Sequence, residues 1–85
     1  DVYLDAGKPV EAQESYERAI AAKVSDELVN YKLRGLAHWY EEKNQLQESL
    51  QVLEKYRERE PLLFDFDIDR IHKRLLREED ERSPQ

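Results

Sequence analysis

Apolar residues recur at steps of three and four along almost the whole chain, and no stretch alternates apolar with polar residues as a half-buried strand does. That spacing is the 3.6-residue period of an amphipathic helix, so the chain is expected to be all-α. Val10, Ala12, Tyr16, Ala19, Ile20 and Val24 mark one helix. It should run from about Pro9, whose missing N–H costs nothing in a first turn, to about Val24. Ser25 or Asp26 offers an N-cap for a second helix, with Leu33, Leu36, Ala37 and Tyr40 on its core face and an end near Lys43 and Asn44. Leu46, Leu50, Leu53 and Tyr56 define a third, ended by Pro61, which also disfavours helical backbone in Glu60. The last periodic stretch places Ile68, Ile71, Leu75 and Leu76 on one face, after Asp65 or Asp67 as a cap. Acids from Glu78 to Glu81 sit at the unfavourable end of that helix dipole, so the tail from Glu78 to Gln85 is expected to fray.

Composition narrows the function classes. Eighty-five residues make one small domain, too short for a two-domain enzyme with a deep cleft. Without cysteine there is no disulfide framework, thiolate metal site or cysteine nucleophile. Fourteen basic against twenty acidic residues, net charge −6, argue against a general nucleic-acid binder. No apolar run approaches the roughly 18 residues of a membrane helix, and Asp1 to Ala6 lack the basic flank of a signal peptide, so a cytoplasmic location is expected.

The chain also repeats itself. A shift of 37 residues pairs Tyr3 with Tyr40, Glu11 with Glu48, Glu17 with Glu54 and Arg18 with Lys55. Gly7 with Asn44, Ala12 with Ser49 and Tyr16 with Leu53 fall in the same register, and two units of one helical hairpin account for all of these.

Tyr3 to Ala12, with Gly7 at the turn and Glu11-Ala12 after it, then Tyr16, Ala19-Ile20 and Val24, resembles the turn and second helix of a tetratricopeptide repeat. Residues 30–63 resemble a whole unit, with Leu33, Leu36-Ala37 and Tyr40 in the first helix, Leu46, Ser49-Leu50 and Leu53 in the second, and Pro61 at the close. The departures are Gly35, which precedes Leu36, Ser49 where the family prefers Ala, Tyr56 at a small-residue position, and a lag three residues beyond the family's period of about 34. The resemblance implies an α-solenoid: residues 1–26 as the second half of a repeat, 30–63 as a complete repeat, 64–82 as a capping helix and 83–85 as a disordered tail. It also implies a non-catalytic scaffold or adaptor that binds a partner peptide or helix on its concave face.

Carried over by position, that face is lined by Tyr31, Arg34, His38, Glu41 and Glu42. Residues 31, 34, 38 and 41 step by three, four and three, so they form one stripe about 100° from the core stripe. The family's clamp for a terminal carboxylate is not expected, because Arg34 is the stripe's only cation and Glu41 with Glu42 would repel a carboxylate. About three repeats are needed for stability. Self-association through an edge formed by Val2, Tyr3, Leu4 and Tyr16 is therefore the alternative reading.

Other constellations are weak. Asp65, Asp67 and Asp69 open like a calcium loop, but Arg70 and Leu76 stand where its Gly and bidentate Glu belong, so helix capping is expected instead. His38 and Glu42 are two potential ligands where zinc takes three or four, so no metal or other cofactor is expected. Gly7 and Gly35 stand alone and no Ser/His/Asp signature exists, so the chain is not expected to be an enzyme. Arg70, Lys73, Arg74 and Arg77 form a basic stripe, read as the solvated outer face of the last helix, with a nucleic-acid or membrane-surface contact through it as the lesser alternative. Neither nucleic acid nor membrane is an expected partner. Trp39, beside Tyr40, is either a packing residue or an exposed contact.

Overall fold

A computed structural model of the chain describes residues 1–82, in which all regular structure is helical. The elements are α1 (Val2–Asp5), α2 (Pro9–Ala21), α3 (Asp26–Glu42), α4 (Leu46–Tyr56), a 3-10 turn over Arg57–Arg59, and α5 (Pro61–Arg82). Each helix packs on its neighbour in the chain, and the body measures 52 × 29 × 14 Å.

The two turns that join α1 to α2 and α3 to α4 are built alike. Gly7 and Asn44 both adopt left-handed backbone, at φ 73° and 62°. In each turn the residue that follows donates its N–H to the tyrosine five positions earlier: Lys8 to the Tyr3 carbonyl at 2.8 Å and Gln45 to the Tyr40 carbonyl at 2.9 Å. Ala12 N–H to Lys8 and Ser49 N–H to Gln45, both 3.1 Å, complete the correspondence. Local backbone chemistry thus repeats at the 37-residue lag, because Gly and Asn tolerate the left-handed conformation that ends a helix.

α2 stops at Ala21, three residues before Val24. Lys23 turns left-handed at φ 57°, and Val24 N–H closes the helix end on the Ala19 carbonyl at 3.0 Å. Ser25 occupies the cap position of α3 without a side-chain hydrogen bond.

Between α3 and α4 the core is close-packed on small residues. Ser49 is fully buried and donates its hydroxyl to the Ala37 carbonyl at 2.7 Å, so the buried oxygen is satisfied across the helix pair. Leu33, Leu36, Leu53 and Val29 belong to the same buried core, to which α2 adds Tyr16 and Ala12 and α5 adds Phe64 and Ile71. The Tyr56 hydroxyl donates to Glu17 and accepts from Gln13 Nε2 at 3.1 Å, joining α4 to α2.

The last helix departs from expectation. Pro61 opens it rather than merely closing the third, since a first-turn residue needs no N–H, while Glu60 is extended at φ −158° as the residue before a proline requires. Asp65, Asp67 and Asp69 therefore lie inside α5 and cap nothing. Steps of two on a helix send successive side chains to opposite sides, and the three find separate partners. Asp65 pairs with Arg57, Asp67 with Arg34 and Arg70, and Asp69 with Lys73. Leu76, expected with Ile68, Ile71 and Leu75 on the inner face, is exposed. Residues 78–82 remain helical, and the expected disordered tail at 83–85 lies outside the described residues.

Candidate functional site

α3 and α5 run parallel and are tied along their length by charged side chains about one repeat apart in sequence. Arg59, just before α5, reaches Asp26 and Asn30 near the start of α3, at 3.0 and 2.7 Å. Arg34 donates to both oxygens of Asp67, at 2.7 and 3.1 Å, and Arg70 adds a third bond to Asp67 at 3.1 Å. Arg70 also donates to both oxygens of Glu41, at 2.6 and 3.3 Å, and Arg74 reaches the Glu41 carbonyl and Asn44 at 3.4 and 3.1 Å.

These contacts set the electrostatics. Burial would raise the Asp67 carboxyl, but the hydrogen bonds and charges of Arg34 and Arg70 outweigh it and hold it below the ordinary carboxylate range. Glu41 is likewise held low, chiefly by its hydrogen bond from Arg70. Arg34 and Arg70 are raised in turn, each first by the carboxylate it grips, Asp67 and Glu41 respectively.

Beside this lattice lies an open cleft of about 490 Å³. Tyr31, Lys32, Arg34, Gly35 and His38 of α3 form one wall. Asp67 and Arg70 of α5 form the other, and Asp1 with Leu4 and Tyr16 close the α1 side. Tyr31 is 76 % exposed and the His38 side chain 63 % exposed, so both are available to a ligand.

The structure thus joins residues expected at two separate surfaces. Tyr31, Arg34 and His38 line the cleft as the stripe predicts. Glu41 is buried against α5, and Glu42 is turned to His38, its Oε1 2.7 Å from the imidazole Nε2. Arg34, expected to be offered to a partner, is held by Asp67, because a buried carboxylate requires a charged donor. Of the expected self-association edge, Val2 and Tyr3 are exposed and Leu4 is half-buried, whereas Tyr16 is only 3 % exposed. It is a core residue, not an edge residue. Its ring, carried on α2, belongs to the buried core, and its hydroxyl, raised by burial, donates to the Asp1 carboxylate.

The basic stripe is divided: two of its cations turn to α3, while Lys73 and Arg77 stay exposed. Arg70 and Arg74 fold back onto Glu41, leaving Lys73 on an intrahelical pair with Asp69 at 3.0 Å. Trp39 is half-buried, edge-on to Tyr40 at 5.5 Å, with the Lys43 ammonium 5.3 Å from its ring centre. Lys32, Asp67 and Arg70 are cleft residues that the sequence does not place on this face; it puts Arg70 on the basic stripe and Asp67 at a helix cap. For Asp67 and Arg70 the signal was charge complementarity between positions about one repeat apart, Arg34 with Asp67 and Glu41 with Arg70; Lys32 carries no such signal. Among the described residues no three His, Cys, Asp or Glu side chains are placed to hold a metal, and no helix is long and apolar enough to cross a membrane. No protein-family profile, curated protein or solved structure matches the chain.

Proposed function

We propose that the chain is a protein-interaction module of helical-repeat type that binds a partner peptide in the cleft between α1, α3 and α5. The observation that carries this reading is the cleft itself. Its volume, about 490 Å³, lies within the range of about 300–1,000 Å³ usual for ligand sites. An exposed tyrosine stands at its mouth, and the paired charges of Asp67 and Arg70 form its far wall. The resemblance to tetratricopeptide repeats is supported by the matching turns at Gly7 and Asn44, and it gives the cleft the place of a concave groove.

Binding suits this cleft better than catalysis. Asp67 is held anionic by two arginines, and a carboxylate of lowered pKa is a poor general acid or base near neutral pH. The groups free to engage a ligand are the Tyr31 ring, the Lys32 ammonium, which has no ion-pair partner among the described residues, and the His38 imidazole edge. Together they fit a peptide that presents an apolar or aromatic side chain next to an acidic one.

The test starts from selection of peptides on the immobilised chain. The selected peptide should bind Tyr31→Ala and Lys32→Glu at least about tenfold more weakly than the parent, with far-UV circular dichroism unchanged. Equal affinity for all three proteins would refute the assignment. Arg34 is unsuited to this test, since its removal would uncover Asp67 and loosen α5.

A further inference from the structure

α5 carries an apolar stripe and, opposite it, a mixed one of apolar and charged residues. One, through Phe64, Ile68, Ile71 and Leu75, packs inward. The other lies two residues out of step, hence on the opposite side of the helix. It runs Leu62, Phe66, Asp69, Lys73, Leu76 and Asp80, spaced alternately by four and three, which is the spacing of a coiled-coil seam. Leu62 is 87 % exposed, Phe66 67 % and Leu76 62 %, and the Asp69 and Lys73 side chains between them are equally open. Nothing on this face takes part in the cleft.

The order of residues along the seam is self-complementary. We propose that the outer face of α5 pairs antiparallel with α5 of a second copy, about a twofold axis at the level of Ile71. Phe66 of each copy then meets Leu76 of the other, and Asp69 of each meets Lys73 of the other, so every contact is made twice, as an isologous interface requires. A parallel pairing in register would instead set Asp69 on Asp69 and Lys73 on Lys73, which the like charges oppose. The seam closes at each end on Leu62 against Asp80, where the carboxylate stays in water. The flanking charges that approach their own kind across the axis are already compensated within each copy: Arg70 by Glu41 and Asp67, and Asp65 by Arg57.

A single helix face is small beside the roughly 1,200–2,000 Å² of a standard stable interface, so a weak dimer is expected and the concentration series must reach the millimolar range. Sedimentation equilibrium on the 85-residue chain, from about 10 µM to about 2 mM, should show monomer giving way to dimer. Asp69→Lys alone and Lys73→Asp alone should each weaken association at least tenfold with helicity retained, because both side chains are exposed. Mixing those two variants should restore a heterodimer, since one copy presents two cations and the other two carboxylates. A wild-type chain that stays monomeric throughout, association untouched by either charge reversal, or a mixture that fails to pair would each overturn the proposal. Peptide binding in the cleft is independent of every one of these outcomes.

Discussion

Removing the Asp67 carboxylate is the perturbation that bears hardest on how α5 is held. Asp67 has a side chain only 7 % exposed and accepts three hydrogen bonds, two from Arg34 and one from Arg70. Breaking a fully buried pair costs about 3–5 kcal/mol, and an exposed pair contributes about 0–1 kcal/mol. Arg34 and Arg70 retain 32 % and 43 % side-chain exposure, so water can recover part of their charge, and Arg70 keeps Glu41. Asp67→Ala is therefore expected to destabilise the fold by roughly 2–3 kcal/mol. At about 4–8 °C per kcal/mol for a domain of this size, the melting temperature should fall by roughly 10–20 °C. That is a large share of the roughly 4–13 kcal/mol expected of 85 residues. Urea and thermal melts followed by far-UV circular dichroism measure it, and a double-mutant cycle with Arg34→Met isolates the pair. A loss below about 0.5 kcal/mol, or a coupling energy near zero, would refute the reasoning that the Arg34–Asp67 pair holds α5 on α3.

The acid limb of stability follows from the same lattice. Asp67 and Glu41 have folded-state values below the ordinary 3.8 and 4.5, so their contribution is present above those values and is lost as pH falls through the lower, folded ones. Tyr16, Tyr40 and Tyr56 are raised above 10.0, chiefly by burial, so their contribution is full below pH 10 and is lost as pH rises beyond it. Urea midpoints should accordingly form a plateau from about pH 5 to about pH 10, and a midpoint that climbs on acidification would contradict the assignment. Lys23→Gly should stabilise by about 0.5–1 kcal/mol, because Lys23 sits at φ 57° where glycine has no steric cost; an unchanged urea midpoint would count against it. Phe64→Ala, at a fully buried position between α4 and α5, should cost about 3–5 kcal/mol, and a loss under 1 kcal/mol would show that the site can collapse.

Periodicity carried much of this fold because the core of α3 and α4 is made of local signals. Leu33, Leu36 and Ala37, then Leu46, Leu50 and Leu53, are apolar at helical spacing and all are buried. Gly7 and Asn44 announced their turns because few residues accept left-handed backbone. The start of α5 was illegible for a physical reason: proline ends one helix and suits the first turn of the next, and here a single 3-10 turn separates them. Asp65 and Asp67 beside that proline therefore read as caps, when their partners lie on other elements. In the cleft, Tyr31 and His38 were legible from their stripe. The engagement of Arg34 and Glu41 was not, because a long side chain can meet solvent, peptide or α5 with the same local sequence. Tyr16 shows the same limit, since its burial depends on α1 folding over it and on Asp1 receiving its hydroxyl.

The cleft between α1, α3 and α5 is proposed to receive a peptide. Backbone amide shift mapping of the isotope-labelled chain, titrated with a selected peptide, tests it directly. The largest shifts should fall on Tyr31 to His38 and on Asp67 and Arg70, with the outer face around Phe66 and Leu76 unmoved. Saturable shifts confined to another face, or no shift near Tyr31 at a saturating peptide concentration, would contradict it.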